Sequence, residues 1–123
     1  MWDKYTVLIA EDEDVNFFLL SEYLEPTGIK VLRAKNGAEV LEIVSHEEPH
    51  VILMDIKMPV MNGYEATHKL REINPNIPVL AQTAYTMSED FERLKATKFQ
   101  EILAKPINEQ DLLFTLRKYI KED

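Results

Sequence analysis

Residues 51–65 read VILMDIKMPVMNGYE. Val51, Ile52, Leu53 and Met54 run without polar alternation into Asp55, and Pro59 followed by Asn62-Gly63 ends regular structure soon after. An unbroken apolar run suits a strand covered on both faces, which is the habit of parallel sheets flanked by helices. The spacing therefore predicts a strand that carries one carboxylate at its C-terminal tip, where open α/β sheets bind their ligands. Taken alone, Asp55 is equally compatible with a residue that caps a turn. Its neighbours in the fold decide between the two.

Outward from this stretch the same punctuation repeats. Residues 6–10 form a short apolar run that ends in Glu11-Asp12-Glu13-Asp14. A helix over 15–25 is expected next, capped by Asp14, with Asn16, Leu20, Tyr23 and Leu24 on one side and Pro26 and Gly28 as its stop. Residues 29–34 read as a weaker strand closed by Asn36-Gly37, and a helix over 38–47 presents Val40, Leu41 and Val44. Beyond the central strand, a helix over 64–73 turns Leu70 and Ile73 inward. Residues 79–82 form a fourth strand that stops at Thr83-Ala84. Met87, Phe91 and Leu94 mark a helix with a thin apolar stripe, and residues 102–104 form a fifth strand ending at Lys105-Pro106. The last helix, over 109–120, opens with an Asn108/Asp111 capping pair and buries Leu112, Leu113, Leu116, Tyr119 and Ile120.

Strand and helix alternate five times with no hairpin signal, which predicts an α/β, doubly wound, five-stranded parallel sheet with helices on both faces, all within one domain over residues 1–123. Right-handed crossovers place all five strand tips on one edge. In the order 2-1-3-4-5 the first, third, fourth and fifth strands are neighbours, so Glu11, Asp12, Asp55, Thr83 and Lys105 converge. The second tip offers only Lys35 and Asn36 and is expected to contribute nothing.

Composition narrows the function. The chain has no Cys, which removes disulfides and thiolate metal sites and points to a cytoplasmic location. No apolar run approaches a membrane span, and Met1-Trp2-Asp3-Lys4-Tyr5 is no signal peptide. A net charge of −8 repels phosphate backbones, so a protein or cationic partner is expected rather than nucleic acid.

Three carboxylates in one cleft repel one another unless a cation joins them. All-oxygen ligation suits Mg2+ or Mn2+ better than zinc. Lys105 and the Thr83 hydroxyl supply the complementary half, a point charge and a donor for phosphoryl oxygens. A metal, a carboxylate nucleophile and an ammonium together describe phosphoryl transfer onto Asp.

These residues resemble the receiver domains of two-component response regulators, from Val7 to Ile120. The acid pair Glu11-Asp12, the block from Met54 through Asp55 and Pro59 to Asn62-Gly63, the pair Thr83-Ala84 and Lys105-Pro106-Ile107 each look like the family's own. The wording of the central block is most similar to receivers of hybrid sensor histidine kinases. The resemblance implies a flavodoxin-like, CheY-like fold and a phosphoacceptor signalling domain rather than an enzyme, with slow self-dephosphorylation at most. It implies that Asp55 takes a phosphoryl group from a phosphohistidine on a sensor histidine kinase or histidine phosphotransfer protein. Asp12, Asp55 and the Lys57 carbonyl would hold Mg2+, with Glu11 acting through water. Thr83 and Lys105 would grip phosphoryl oxygens, and the Lys105-Pro106 bond would be cis. The output protein is not named by any residue, and the chain is expected to be either a stand-alone receiver or part of a longer hybrid kinase or regulator.

Two positions depart from the family. Ile102 stands where an aromatic residue usually reports phosphorylation, and Lys98 stands where Gly is common. Lys57 and Tyr85, two residues beyond Asp55 and Thr83, would flank a hydrolytic water, and the bulk of Tyr85 is expected to slow phosphoryl loss. Other motifs fall away on physical grounds. His46-Glu47-Glu48-Pro49-His50 spells HExxH, but Pro49 breaks the helix on which both His would have to sit. Asp12-Glu13-Asp14-Val15-Asn16 imitates the nucleophile motif of haloacid-dehalogenase-like phosphatases until Asn16 breaks it. An acidic loop after the first strand repels the phosphate of a flavin. A receiver that never takes phosphate would not need the full set of tip residues. Phe18 and Phe114 fall outside the inward stripes of their helices, and Phe18 is the candidate contact for the phosphodonor's helix.

Overall fold

The computed structural model describes residues 1–84 and 91–120. Its elements are β1 (Thr6–Ala10), α1 (Asp14–Leu24), a 3-10 turn (Glu25–Thr27), β2 (Lys30–Ala34), α2 (Gly37–Val44), β3 (Val51–Asp55), α3 (Gly63–Ile73), β4 (Val79–Thr83), α4 (Phe91–Ala96), β5 (Glu101–Ala104) and α5 (Glu109–Arg117). The strands form one sheet in the order β2-β1-β3-β4-β5, and every pairing is parallel. The expected topology is therefore the observed one.

Alternate residues of the central strands feed two cores. Val7, Ile9 and Leu53 face α1 and α5, where they meet Leu20, Leu24, Leu112 and Leu116. Leu8, Ala10, Ile52 and Met54 face α2 and α3 through Val40, Ala66 and Leu70. All five residues of β3 are buried, which is why its sequence shows no polar alternation. Under α4 a third cluster holds, among the described residues, Ile56, Tyr64, Ala81 and Leu94. Trp2 lies wholly buried in the first core, with its backbone N–H donating to the Thr27 carbonyl at 2.7 Å. Its place before the first strand hid it from any periodic pattern.

Helix boundaries differ from the expectation where caps decide them. Glu13, not Asp14, holds the N-cap position of α1, and no side chain caps that end. Asp14 is already helical, and its carboxylate is drawn aside to Arg33 at 2.8 Å. Helix α2 begins at Gly37 under an Asn36 cap and closes at Val44, so residues 45–47 lie beyond it. His46 to His50 therefore never form a helical pair. His50 instead accepts the Thr6 N–H on Nδ1 and packs edge-on against Tyr5. Ile73 does not turn inward as expected; the last turn of α3 leaves it 63% exposed. Asn62 and Glu65 form a reciprocal capping box at the start of α3, and the Asn108 side chain accepts the Asp111 N–H at the start of α5. Lys98 needs no left-handed backbone. Among the described residues Val60 is the one non-glycine with a positive φ, at 66°. Met87 and Tyr85 lie outside the described residues.

The capping box drives α3 hard against the end of β3. The Gly63 N–H donates to the Ile56 carbonyl at 2.9 Å, and a Cβ on Gly63 would strike the Asp55 carbonyl oxygen. Only hydrogen fits there. Gly63→Ala is expected to lower the unfolding free energy by about 2–4 kcal/mol, because a backbone carbonyl cannot yield as a flexible side chain would. Urea denaturation checks this.

Candidate functional site

Each strand of the central group ends by releasing polar side chains to the same edge. β1 delivers Glu11, which is fully buried, and the exposed Asp12; β3 delivers Asp55, 4% exposed; β4 delivers Thr83. Lys105 follows β5, its N–H donating to the Thr83 carbonyl at 2.8 Å, and the Lys105-Pro106 bond is cis. Asp12, Asp55, Lys57, Thr83 and Lys105 line one cavity of about 280 Å3. Glu11 joins them through Lys105, so the five strand-tip residues Glu11, Asp12, Asp55, Thr83 and Lys105 lie at one edge of the sheet.

Lys105 organises the charges. Its Nζ lies 3.1 Å from Asp55 Oδ2 and 3.2 Å from Glu11 Oε1. Glu11 is further engaged by the Asn16 amide and by the Glu13 N–H at 3.1 Å. Burial, reinforced by the charge of Glu11, pushes the Asp55 carboxyl up to about 6, although Lys105 pulls the other way. For Lys105 burial acts downward, yet Asp55 and then Glu11 outweigh it and the ammonium is held above its usual range. One ammonium is too little for this site. Glu11, Asp12 and Asp55 each place a carboxylate oxygen within 4.8 Å of the others. An all-oxygen set that holds more negative charge than Lys105 neutralises fits a hard divalent cation.

Two participants, Gln82 and Arg33, were not evident in the sequence. Asn16 also reaches the buried Gln82 Oε1 at 3.4 Å, which ties α1 to β4 beneath the acids. The helical spacing puts Asn16 on the same side of α1 as Leu20 and Leu24, whereas Gln82 reads as one more strand residue. Arg33 corrects the expectation that the second strand contributes nothing: from β2 it donates to the Glu11 carbonyl through Nε at 3.2 Å and Nη2 at 3.1 Å. An isolated Arg on a weak edge strand carries no signal of this in the sequence.

Comparisons with known proteins agree with this geometry. The family model described as the response regulator receiver domain matches residues 7–117. A polar-differentiation response regulator, DivK, of Brucella anthropi is 33% identical over 94% of this chain and 95% of its own length. The receiver domain of a sensor histidine kinase from Pseudomonas aeruginosa PAO1, solved with magnesium coordinated in its active-site cleft, superposes with a TM-score of 0.88 at 28% identity, covering 94% of this chain and 97% of that one. The chemotaxis protein CheY4 of Vibrio cholerae superposes with a TM-score of 0.85 at 31% identity, covering 94% and 98%.

The raised Asp55 carboxyl fixes a sign. A proton that binds near pH 6 instead of near 3.8 stabilises the metal-free fold fully below 3.8, and this contribution is lost as pH rises through about 6. A divalent cation competes with that proton. The apparent Mg2+ affinity is expected to be about tenfold weaker at pH 5 than at pH 7.5, as measured by titration calorimetry.

Proposed function

We infer that this chain, which belongs to the response regulator receiver domain family, accepts a phosphoryl group on Asp55 from a phosphohistidine and changes conformation to control a partner protein. The observation that carries this reading is the placement of Asp55: a buried carboxylate at the tip of β3, 3.1 Å from Lys105 Nζ and among the acids of β1. Asp12, Asp55 and the Lys57 carbonyl would hold Mg2+, whose charge would offset that gathering on the transferring group. Glu11, whose oxygens are taken up by Lys105, Asn16 and the Glu13 N–H, would act on the cation through water. An ionised Asp55 oxygen attacks phosphorus, the new O–P bond forms as the P–N bond of the phosphoimidazole breaks, and the leaving nitrogen keeps the electron pair, so that the ring departs as neutral imidazole with its proton on the other nitrogen. Lys105 and the Thr83 hydroxyl hold the phosphoryl oxygens, and no general base is required.

The same group supplies the switch. Drawing Thr83 toward phosphoryl oxygens pulls on the end of β4, next to the cluster that seats α4. Ile102 is 46% exposed and has no ring to swing inward, so the response runs through Thr83 and α4 without an aromatic reporter. Beside the acid loop, α1 exposes Val15, Phe18 and Leu19, which offer the phosphodonor's helix an apolar landing.

Two expected outcomes follow. With Mg2+ and acetyl phosphate, intact mass shows one phosphoryl adduct on the wild type and none on Asp55→Asn; an adduct that survives in Asp55→Asn, or maps to Asp12, overturns the assignment. Phe18→Ala is expected to slow transfer from the cognate phosphohistidine donor by about tenfold while leaving acetyl phosphate labelling unchanged, since only the protein donor touches α1.

A further inference from the structure

Arg33 is unlike the other residues around the acids, because it reaches the main chain of Glu11 and Asp12 rather than their carboxylates. Its side chain is 17% exposed. Besides its two bonds to the Glu11 carbonyl, Nη2 reaches the Asp12 carbonyl at 3.4 Å. The same nitrogen pairs with Asp14 Oδ1 at 2.8 Å, and the guanidinium lies over the Phe17 ring at 4.5 Å. The carbonyls of Glu11 and Asp12 belong to the two peptide planes that meet at the Asp12 Cα. A planar fork that holds both planes holds φ and ψ of Asp12, and therefore the direction of its Cα–Cβ bond. Glu11 does not need this help, since its carboxylate is fixed by Lys105, Asn16 and the Glu13 N–H. Asp12 does, because it is exposed and packing does not hold it.

We propose that Arg33 is a positioning residue that locks the backbone around Asp12 so that its carboxylate faces Asp55, and thereby sets the affinity of the cation site. The inference rests on the receiver reading above. It carries a sign that distinguishes it from plain electrostatics. A guanidinium near a cation site repels the cation, so a role through charge alone makes Mg2+ bind more tightly when the charge is removed. Positioning makes it bind more weakly. Outer groups that orient metal ligands typically govern affinity by 10- to 100-fold.

The test is Mg2+ titration by calorimetry at pH 8 on the wild type, Arg33→Met and Arg33→Lys, alongside acetyl phosphate labelling at rising Mg2+. Arg33→Met is expected to weaken Mg2+ binding by roughly tenfold. Arg33→Lys keeps the charge and most of the stem but loses the fork, and is expected to weaken it by about threefold. In both variants the labelling rate at saturating Mg2+ returns to within about twofold of the wild type, because the reacting groups are untouched. Unchanged or tighter Mg2+ binding in Arg33→Met overturns the proposal. If that variant does not fold, the Lys variant decides: binding equal to the wild type overturns the positioning role, and weaker binding supports it. A wild-type chain that binds no Mg2+ overturns the receiver reading together with this inference, and is told apart because all three proteins then give the same flat titration.

Discussion

Everything at the edge of the sheet turns on one ammonium shared by two buried carboxylates. Glu11 and Asp55 are carried in by separate strands, and neither would be tolerated there alone as a charge. Lys105 lies within 3.2 Å of both and makes the arrangement possible. Removing one member of such a buried group typically costs about 3–5 kcal/mol, since the remaining charges lose their compensation. The residual imbalance is the useful part. Two buried acids and an exposed third face one lysine, which in the proposed reading leaves the site with affinity for a further cation and for an incoming electrophile.

The sheet makes this crowding affordable. β3 is buried along its whole length, so Asp55 stands on a strand that cannot shift without opening both cores. The β3–α3 loop returns at once into the Asn62/Glu65 capping box, and Gly63 lets that helix start against the Asp55 carbonyl. The nucleophile candidate is thus clamped from the strand before it and the helix after it. Val60, at the crest of this loop, carries a left-handed backbone while its side chain is 83% exposed, so the strain sits where the chain must turn most sharply.

What could be read from the sequence was whatever repeats or punctuates. The unbroken run into Asp55 announced a doubly covered strand. The alternation of runs and stops announced a parallel α/β sheet, and the order 2-1-3-4-5 that such sheets commonly adopt brings Glu11, Asp12, Thr83 and Lys105 to Asp55. Side chains that work by reaching across elements were not legible. Arg33 acts through the carbonyls of another strand's loop, Gln82 meets Asn16 of α1 across the sheet, and Trp2 buries itself ahead of the first strand. None has a period or a motif. Helix ends failed for a related reason: Asp14 has the right residue type for a cap, but a nearby guanidinium offers its carboxylate a charged partner in place of a backbone N–H.

Rigidity is unevenly distributed around the site, and that asymmetry bears on how a signal would leave it. The acids are braced by Lys105, Asn16 and Arg33, and β3 by two large cores. On the β4 side the described residues form a separate cluster of Ile56, Tyr64, Ala81 and Leu94 with Phe99 against it, and Arg93 of α4 lies over the Tyr64 ring at 4.1 Å. A phosphoryl group on Asp55 would compete with Asp55 and Glu11 for Lys105 and call on the Thr83 hydroxyl at the same time. The braced half cannot absorb that change by moving, because its shifts would break buried ion pairs and both cores. The cheaper response is displacement at the end of β4 and in the seating of α4. In the proposed reading, with Ile102 in place of a ring, the packing of α4 itself would be the variable that a partner senses.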